Sequence, residues 1–347
     1  MLFRSLVLRA YERMIRPGER LDLAEIAAAT GLAPELVLVG WRAWGFPDPA
    51  PGEKRFTAAD VALVGYLRGL ADRVGVDLAL HTARAIGTAM SRIAEAEISL
   101  IRSRVETSLQ QSGASYASIL RGYEVVIEHF LPATEQAMDA VHRHYLEQIA
   151  RRYTEWALPP SPINVLDLVV GFADLSGSTA LAQRLDLAAL DRAIMRFEEL
   201  TSDLIAAAGV TLVKRLGDAV MFVSPHPDTM CALALDLVAA FDAAEFAPPL
   251  RVGLAAGRVV ALRGDFYGPA VHLAARIVAA ASPSSALTSG DVRDRVVNGP
   301  PGTMTFRSIG ARPLHGFDAP VDLFQLERAR SESPSTETQR KHDGQGR

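Results

Sequence analysis

From residue 21 to about 155, apolar side chains recur every three to four positions, the spacing that gathers them on one face of an α-helix. The pattern predicts helices over 21–29, from Pro34 onward, and over 57–74, 78–110 and 115–155. The string T-G-L-A-P separates the first two, because glycine favours a helix end and proline suits a helix start. In the longest segment Ile119, Tyr123, Val126, Phe130, Met138, Val141, Tyr145 and Ile149 form the stripe, and Pro132 is expected to kink or divide it. The segment W-A-L-P-P-S-P-I at 156–163 holds three prolines within four residues, a stiff non-helical connector. A helical domain over 1–157 and a proline-rich linker over 158–164 follow.

From residue 165 the period changes to alternating strands and helices: strand 166–174, helix 187–208, strands 210–215 and 219–224, helix 228–245, strand 250–260, helix 269–281, and shorter elements to about 327. In the first of these helices Leu187, Leu190, Ile194, Phe197, Leu204 and Ala208 make one apolar stripe, which packs on a sheet. The β-α-β-β-α-β order implies an α+β fold with a ferredoxin-like sheet carrying its helices on one face. This second domain covers 165–328. The tail 329–347 is too polar to bury anything and is expected to be disordered.

Composition narrows the function classes. With 347 residues, 49% of them hydrophobic and 22% charged, the chain has the balance of a soluble globular protein large enough for two domains. A net charge of -4 gives no overall footprint for nucleic acid, which is an unlikely partner. The single cysteine, Cys231, lies in an apolar helical pattern; it excludes an intrachain disulfide and fits a cytoplasmic location as a core residue. No stretch approaches the roughly 20 uninterrupted apolar residues that span a bilayer, so no membrane association is expected.

The chemistry-bearing residues fall in three blocks. Asp174 in F-A-D-L-S-G-S-T and Asp218 in K-R-L-G-D-A-V-M-F each sit where an apolar strand-like run meets a glycine turn, a rigid place for ligands of hard divalent cations. Strand alternation directs Lys214 and Asp218 to different parts of their hairpin turn. Downstream, R-G-D-F-Y-G-P-A-V-H-L-A-A-R-I supplies Asp265, then His272 and Arg276 four residues apart on one helix face, where both reach the same anion. Plainer roles exist for each: an aspartate before glycine often forms a turn, Lys214 and Asp265 suit a surface ion pair, and Arg276 suits a helix cap. Phe172, Met221 and Phe222 read as core.

In this order and separation the blocks resemble the catalytic domain of class III nucleotidyl cyclases, over roughly residues 165–327 including the closing G-A-R-P-L-H-G-F-D-A-P-V-D-L-F. The resemblance implies that Asp174 and Asp218 bind two divalent cations, Mg2+ or Mn2+, which activate a ribose 3′-hydroxyl against the α-phosphate. It also implies that backbone N–H groups of Ser176, Gly177, Ser178 and Thr179 receive the outer phosphates. Lys214 only donates, which suits adenine N1, and ionised Asp265 only accepts, which suits the 6-amino group; with the resemblance this favours ATP as substrate. Arg276 matches the arginine that stabilises charge on the transferred phosphate. His272 stands where such cyclases usually have asparagine, which implies slow but real turnover with a rate open to pH. The resemblance further implies a head-to-tail homodimer, in which the metal aspartates of one protomer face the base-reading and arginine residues of another.

Residues 21–66 resemble the helix-turn-helix and wing of MerR-type regulators. The would-be recognition helix, Pro34 to Trp44, offers only Arg42 beside the acidic Glu35, a poor surface for phosphates, so the motif reads as a reused fold in a regulatory domain. His129, His142 and His144 lie on or near the long helix and titrate in the physiological range. Two function classes stand: an adenylate cyclase regulated by its helical half, or a catalytically silent dimerisation or nucleotide-binding module joined to a sensory or DNA-binding domain. The residues Asp174, Asp218, Lys214, Asp265 and Arg276 favour the first; His272 and the helix-turn-helix resemblance favour the second.

Overall fold

The computed structural model describes residues 15–111, 116–156, 165–177, 186–244, 248–297 and 304–329. The linker at 158–164, the positions Ser178 and Thr179, and the tail from residue 330 lie outside the described residues. The chain divides into two compact units, Met1–Ala150 and Arg151–Arg347.

In the first unit, α1 (Leu23–Thr30) starts at Asp22, whose carboxylate accepts from the Glu25 N–H while the Glu25 carboxylate accepts from the Asp22 N–H. This reciprocal cap satisfies two donors that the first turn leaves open. Gly31 at φ 66° ends the helix, and α2 (Pro34–Ala43) leaves at 97° to it. With α3 (Ala58–Val74), these helices bury Ile26, Val37, Trp41, Phe56 and Val64 in one cluster. Arg42 is held by Asp48 through Nε at 2.8 Å and Nη2 at 2.6 Å. The long helices α4 (Val76–Gln111) and α5 (Tyr116–Trp156) follow. Pro132 does not divide α5, contrary to one form of the expectation. Pro132 and Glu128 are exposed, so the Glu128 carbonyl that proline leaves without an N–H partner lies on the solvent side. Among the described residues no single helix is long and apolar enough to cross a membrane.

The second unit is built on one mixed sheet. Its elements are β1 (Val165–Leu175), α6 (Leu187–Ala207), β2 (Thr211–Leu216), β3 (Ala219–Ser224), α7 (Pro227–Ala243), β4 (Leu250–Leu262), β5 (Asp265–Tyr267), α8 (Pro269–Ala280), β6 (Ser285–Ser289), α9 (Gly290–Val297), β7 (Met304–Arg312) and β8 (Val321–Arg328). The strand order is β2-β3-β1-β4-β6-β8-β7, with β5 paired to β4. Within it each neighbouring pair among β2, β3, β1 and β4 is antiparallel, in the β-α-β-β-α-β arrangement read from the sequence.

Strand alternation sorts the side chains into two cores. On one face Val169, Ala173, Val220, Phe222, Val252 and Leu254 pack against α6 and α7 through Phe197, Ile205, Leu237 and Phe241. Ile194, expected in this stripe, is instead 39% exposed. Cys231 lies in the same core, where burial, aided by Asp228, pushes its thiol up to about 12, so it stays an inert core thiol. On the other face Leu168, Val170, Phe172, Met221 and Ala255 pack against α8 through Ala270, Ala274 and Ile277. Helices therefore cover both faces, and the one-face expectation holds only for α6 and α7. The reason is Gly253: a Cβ there would lie 2.2 Å from the backbone nitrogen of Val278 and 2.9 Å from the Ala274 carbonyl oxygen.

That contact is backbone against backbone and cannot relax by a rotamer change. Gly253→Ala is expected to cost about 3 kcal/mol and to lower the melting temperature of the second unit by roughly 6–12 °C, as read by circular dichroism. Gly65→Ala, with nothing within 4 Å of the added methyl, is the control expected to leave the melt unchanged or slightly raised.

Candidate active site

Of the side chains singled out in the sequence, Asp174 and Lys214 lie on the α8 face of the sheet, and His272 and Arg276 stand on α8 itself. Asp174 is the next-to-last residue of β1, opposite Ala219 of β3 on one side and Arg251 of β4 on the other. Residues directly opposite in an antiparallel ladder project to the same face. Asp218 follows Gly217, whose φ of 66° makes the tight β2–β3 turn, and the Leu175 N–H donates to the Asp218 carbonyl at 3.2 Å. The two carboxylates are near enough to interact: burial raises the Asp174 carboxyl above its usual value, the Arg251 guanidinium pulls it back, and the Asp218 charge adds to the rise.

Lys214 does not follow simple alternation. A bulge between Leu212 and Lys214 shifts the register, so Leu212 opposes Phe222 on one face while Lys214 opposes Met221 on the other. The extra residue re-aims the lysine onto the face that carries Asp174. There its Nζ meets Asp265 Oδ2 at 2.5 Å. Asp265 arrives on the β4–β5 hairpin, whose two-residue turn uses Arg263 at φ 56° and Gly264 at φ 77°, the tight form that matches strand twist. The Asp265 Oδ1 accepts from the Phe266 N–H at 2.8 Å, which fixes the carboxylate plane.

His272 and Arg276 project from α8 into an open cleft of about 500 Å³ lined also by Gly268, His315 and Phe317. Two residues here escaped the sequence reading. Arg251 forks onto Asp174 Oδ2 through Nε at 2.9 Å and Nη2 at 2.5 Å; its spacing of 77 residues from Asp174 hides a pairing that only the β1–β4 register reveals. His315 lay in the closing L-H-G-F, where no nearby residue flagged a role.

Ser176 differs from expectation. Its N–H donates to the Pro249 carbonyl at 2.8 Å and is not free for a phosphate. Its hydroxyl is buried with no partner among the described residues, which leaves Oγ as the group with unused hydrogen-bonding capacity. Gly177 is exposed in a left-handed turn at φ 74°.

These features suit a hard dication. Two carboxylates lie near enough to interact and the ligand atoms they offer are oxygens, although Arg251 already occupies Asp174 Oδ2. Among the described residues no cluster of three or more histidine, cysteine or acidic side chains forms, so backbone, water or substrate oxygens would complete the coordination.

Comparison with known proteins identifies the family of this fold. Residues 164–324 match the adenylate and guanylate cyclase catalytic domain. An uncharacterised protein of Mycobacterium tuberculosis is 37% identical over 304 residues, covering 88% of this chain and 78% of that one. An adenylate cyclase of Streptomyces coelicolor is 32% identical over 284 residues, 81% of this chain and 73% of its own. A pH-sensitive adenylate cyclase of Mycobacterium tuberculosis is 28% identical over 264 residues, 75% of this chain and 65% of its own. With the matched domain spanning the strands, turn and helix that carry Asp174, Asp218, Lys214, Asp265 and Arg276, the chain belongs to the class III nucleotide cyclase family.

Proposed function

We propose that this protein converts ATP to 3′,5′-cyclic AMP and pyrophosphate in a head-to-tail homodimer, under the control of its helical half. The observation that carries the choice of base is the pair formed by Lys214 and Asp265 at 2.5 Å. It sets a pure donor beside a pure acceptor, in the polarity that adenine presents at N1 and its 6-amino group and that guanine reverses. The pair does not exhaust either partner: the ammonium keeps further N–H donors and the carboxylate keeps further lone pairs.

Asp174 and Asp218 would hold two divalent ions, which supply charge stabilisation at the α-phosphate and a lowered pKa for the ribose hydroxyl. The chain's own residues bind and orient. The exposed Gly177 turn would meet the phosphates, and Arg276 would fork onto the transferred phosphate as its charge grows. His272 would orient the ribose with one nitrogen donating and the other accepting. Exposed Leu262 and Tyr267 flank Asp265 on the β4–β5 hairpin, and exposed Leu216 ends β2; such apolar side chains next to the site support burial against a second copy. Regulation has a route within the catalytic unit. At the end of α5, Trp156 packs into the α8-side core and Arg152 donates to Thr211 Oγ1 at 3.2 Å, three residues before Lys214 on β2.

The test is cyclic AMP formation from ATP by the full chain with Mn2+ or Mg2+, from about pH 5.5 to 8, the range in which histidines titrate. Product establishes the cyclase; none with either metal at any pH favours the silent module or a strongly inhibited enzyme, which an assay of residues 160–347 alone separates. Arg276→Ala is expected to lower kcat about 10²-fold with little change in KM, the signature of an interaction made in the transition state.

A further inference from the structure

One of the two carboxylates read as metal ligands is already paired with a guanidinium of the same chain. Arg251 and Asp174 are directly opposed across β1 and β4, and both Nε and Nη2 of the guanidinium converge on the single oxygen Oδ2. The pair is mostly shielded, with side chains 28% and 17% exposed, so solvent screens it less than a surface pair. The third nitrogen, Nη1, has another partner, reaching the Ala279 carbonyl at 3.4 Å in the last turn of α8, where the helix dipole favours a cation.

We propose that Arg251 competes with the divalent cation for Asp174, so that the nucleotide-free protein binds metal weakly and the metal enters together with the nucleotide. This rests on the reading of Asp174 and Asp218 as metal ligands. With Arg251 forked onto Asp174, the two carboxylates and the guanidinium sum to a single negative charge, a weak attractor for a dication. Removing the guanidinium restores two charges and frees Oδ2. A substrate that carries its own anionic oxygens offers the guanidinium an alternative acceptor, and the Ala279 carbonyl keeps the side chain tethered while it changes partners. Arg251 is thus a positioning residue whose fork reserves the carboxylate.

The experiment is a Mn2+ titration of the nucleotide-free full chain, with free Mn2+ counted by electron paramagnetic resonance. Arg251→Gln is expected to tighten the site about tenfold, the scale of losing one charge from a half-shielded site. Adding Asp174→Asn to that variant should abolish the gain. Arg251→Leu, which fills the volume without charge or donors, gives the same readout if the glutamine variant fails to fold. Affinity equal to or weaker than the parent in whichever variant folds overturns the proposal. If Arg251→Gln has no effect while Asp174→Asn still removes parental Mn2+ binding, the competition fails and the ligand reading stands. If the tightened site survives Asp174→Asn, Asp174 is not the ligand and both fall.

Discussion

Asp174→Asn is expected to reduce cyclic AMP formation by about 10³-fold or more, the loss that follows when several kcal/mol of metal-derived charge stabilisation leave the transition state. The amide has the shape of the carboxylate but lacks its charge, so the change removes a cation ligand with little disturbance of β1. Folding should not suffer. Burial holds the Asp174 carboxyl above its usual value, and an acid whose folded pKa exceeds its unfolded one favours the fold only while protonated, below the unfolded value. As pH rises through the folded value that contribution is lost, so at neutral pH the ionised carboxylate is a net cost to the fold. The asparagine variant should therefore melt at or above the parent temperature at pH 7, with the difference disappearing on acidification through the carboxylate range. A large loss of rate with an undiminished melting temperature locates the effect in chemistry. A rate within about tenfold of the parent would show that Asp174 does not carry a catalytic cation.

How far the sequence revealed this site depended on whether a residue's placement is set locally or by register. Asp174 and Asp218 were legible because an apolar run ending at a glycine turn fixes a strand end by itself. The β-α-β-β-α-β order was legible for the same reason: each element carries its own period. Lys214 was harder, since alternation alone aims it wrongly and the bulge at Leu212/Lys214 leaves no mark in V-T-L-V-K-R-L. Its meeting with Asp265 spans 51 residues and depends on the β4–β5 hairpin folding back, and the two were read together only as a surface ion pair or as joint readers of the base. Arg251 was invisible, because its role comes wholly from standing opposite Asp174 in the ladder. The position of α8 on the second face is written in Gly253, but a glycine within the strand pattern R-V-G-L-A-A does not say which helix it admits. Pro132 shows the converse limit: a strong local breaker inside α5 is overruled where the freed carbonyl faces water. The helix-turn-helix resemblance of residues 21–66 has its physical basis in Asp22, Gly31 and Pro34, which set the caps and the bend; those features shape the backbone and say nothing of a partner.

The paired exchange Lys214→Glu with Asp265→Lys is expected to lower the ATP-to-GTP ratio of kcat/KM by about 10³-fold, because a site built to hydrogen-bond one base edge leaves buried polar groups unpaired against the other. The exchange keeps opposite charges in contact, so the tie between β2 and the β4–β5 hairpin survives. Either single substitution would set like charges together in a pair whose side chains are only 32% and 24% exposed, and both singles should be less stable than the double. In the double variant the position on β2 accepts, which suits guanine N1–H, and the position on β5 donates, which suits guanine O6. One local penalty is foreseeable: the Phe266 N–H loses the Asp265 Oδ1 acceptor at 2.8 Å, worth about 1 kcal/mol and applied equally to both nucleotides, so it cancels in the ratio. Discrimination should therefore move even if the absolute rate falls. A ratio unchanged in a folded double variant would mean that Lys214 and Asp265 serve only to fasten the hairpin to β2 and that the base is read by other side chains.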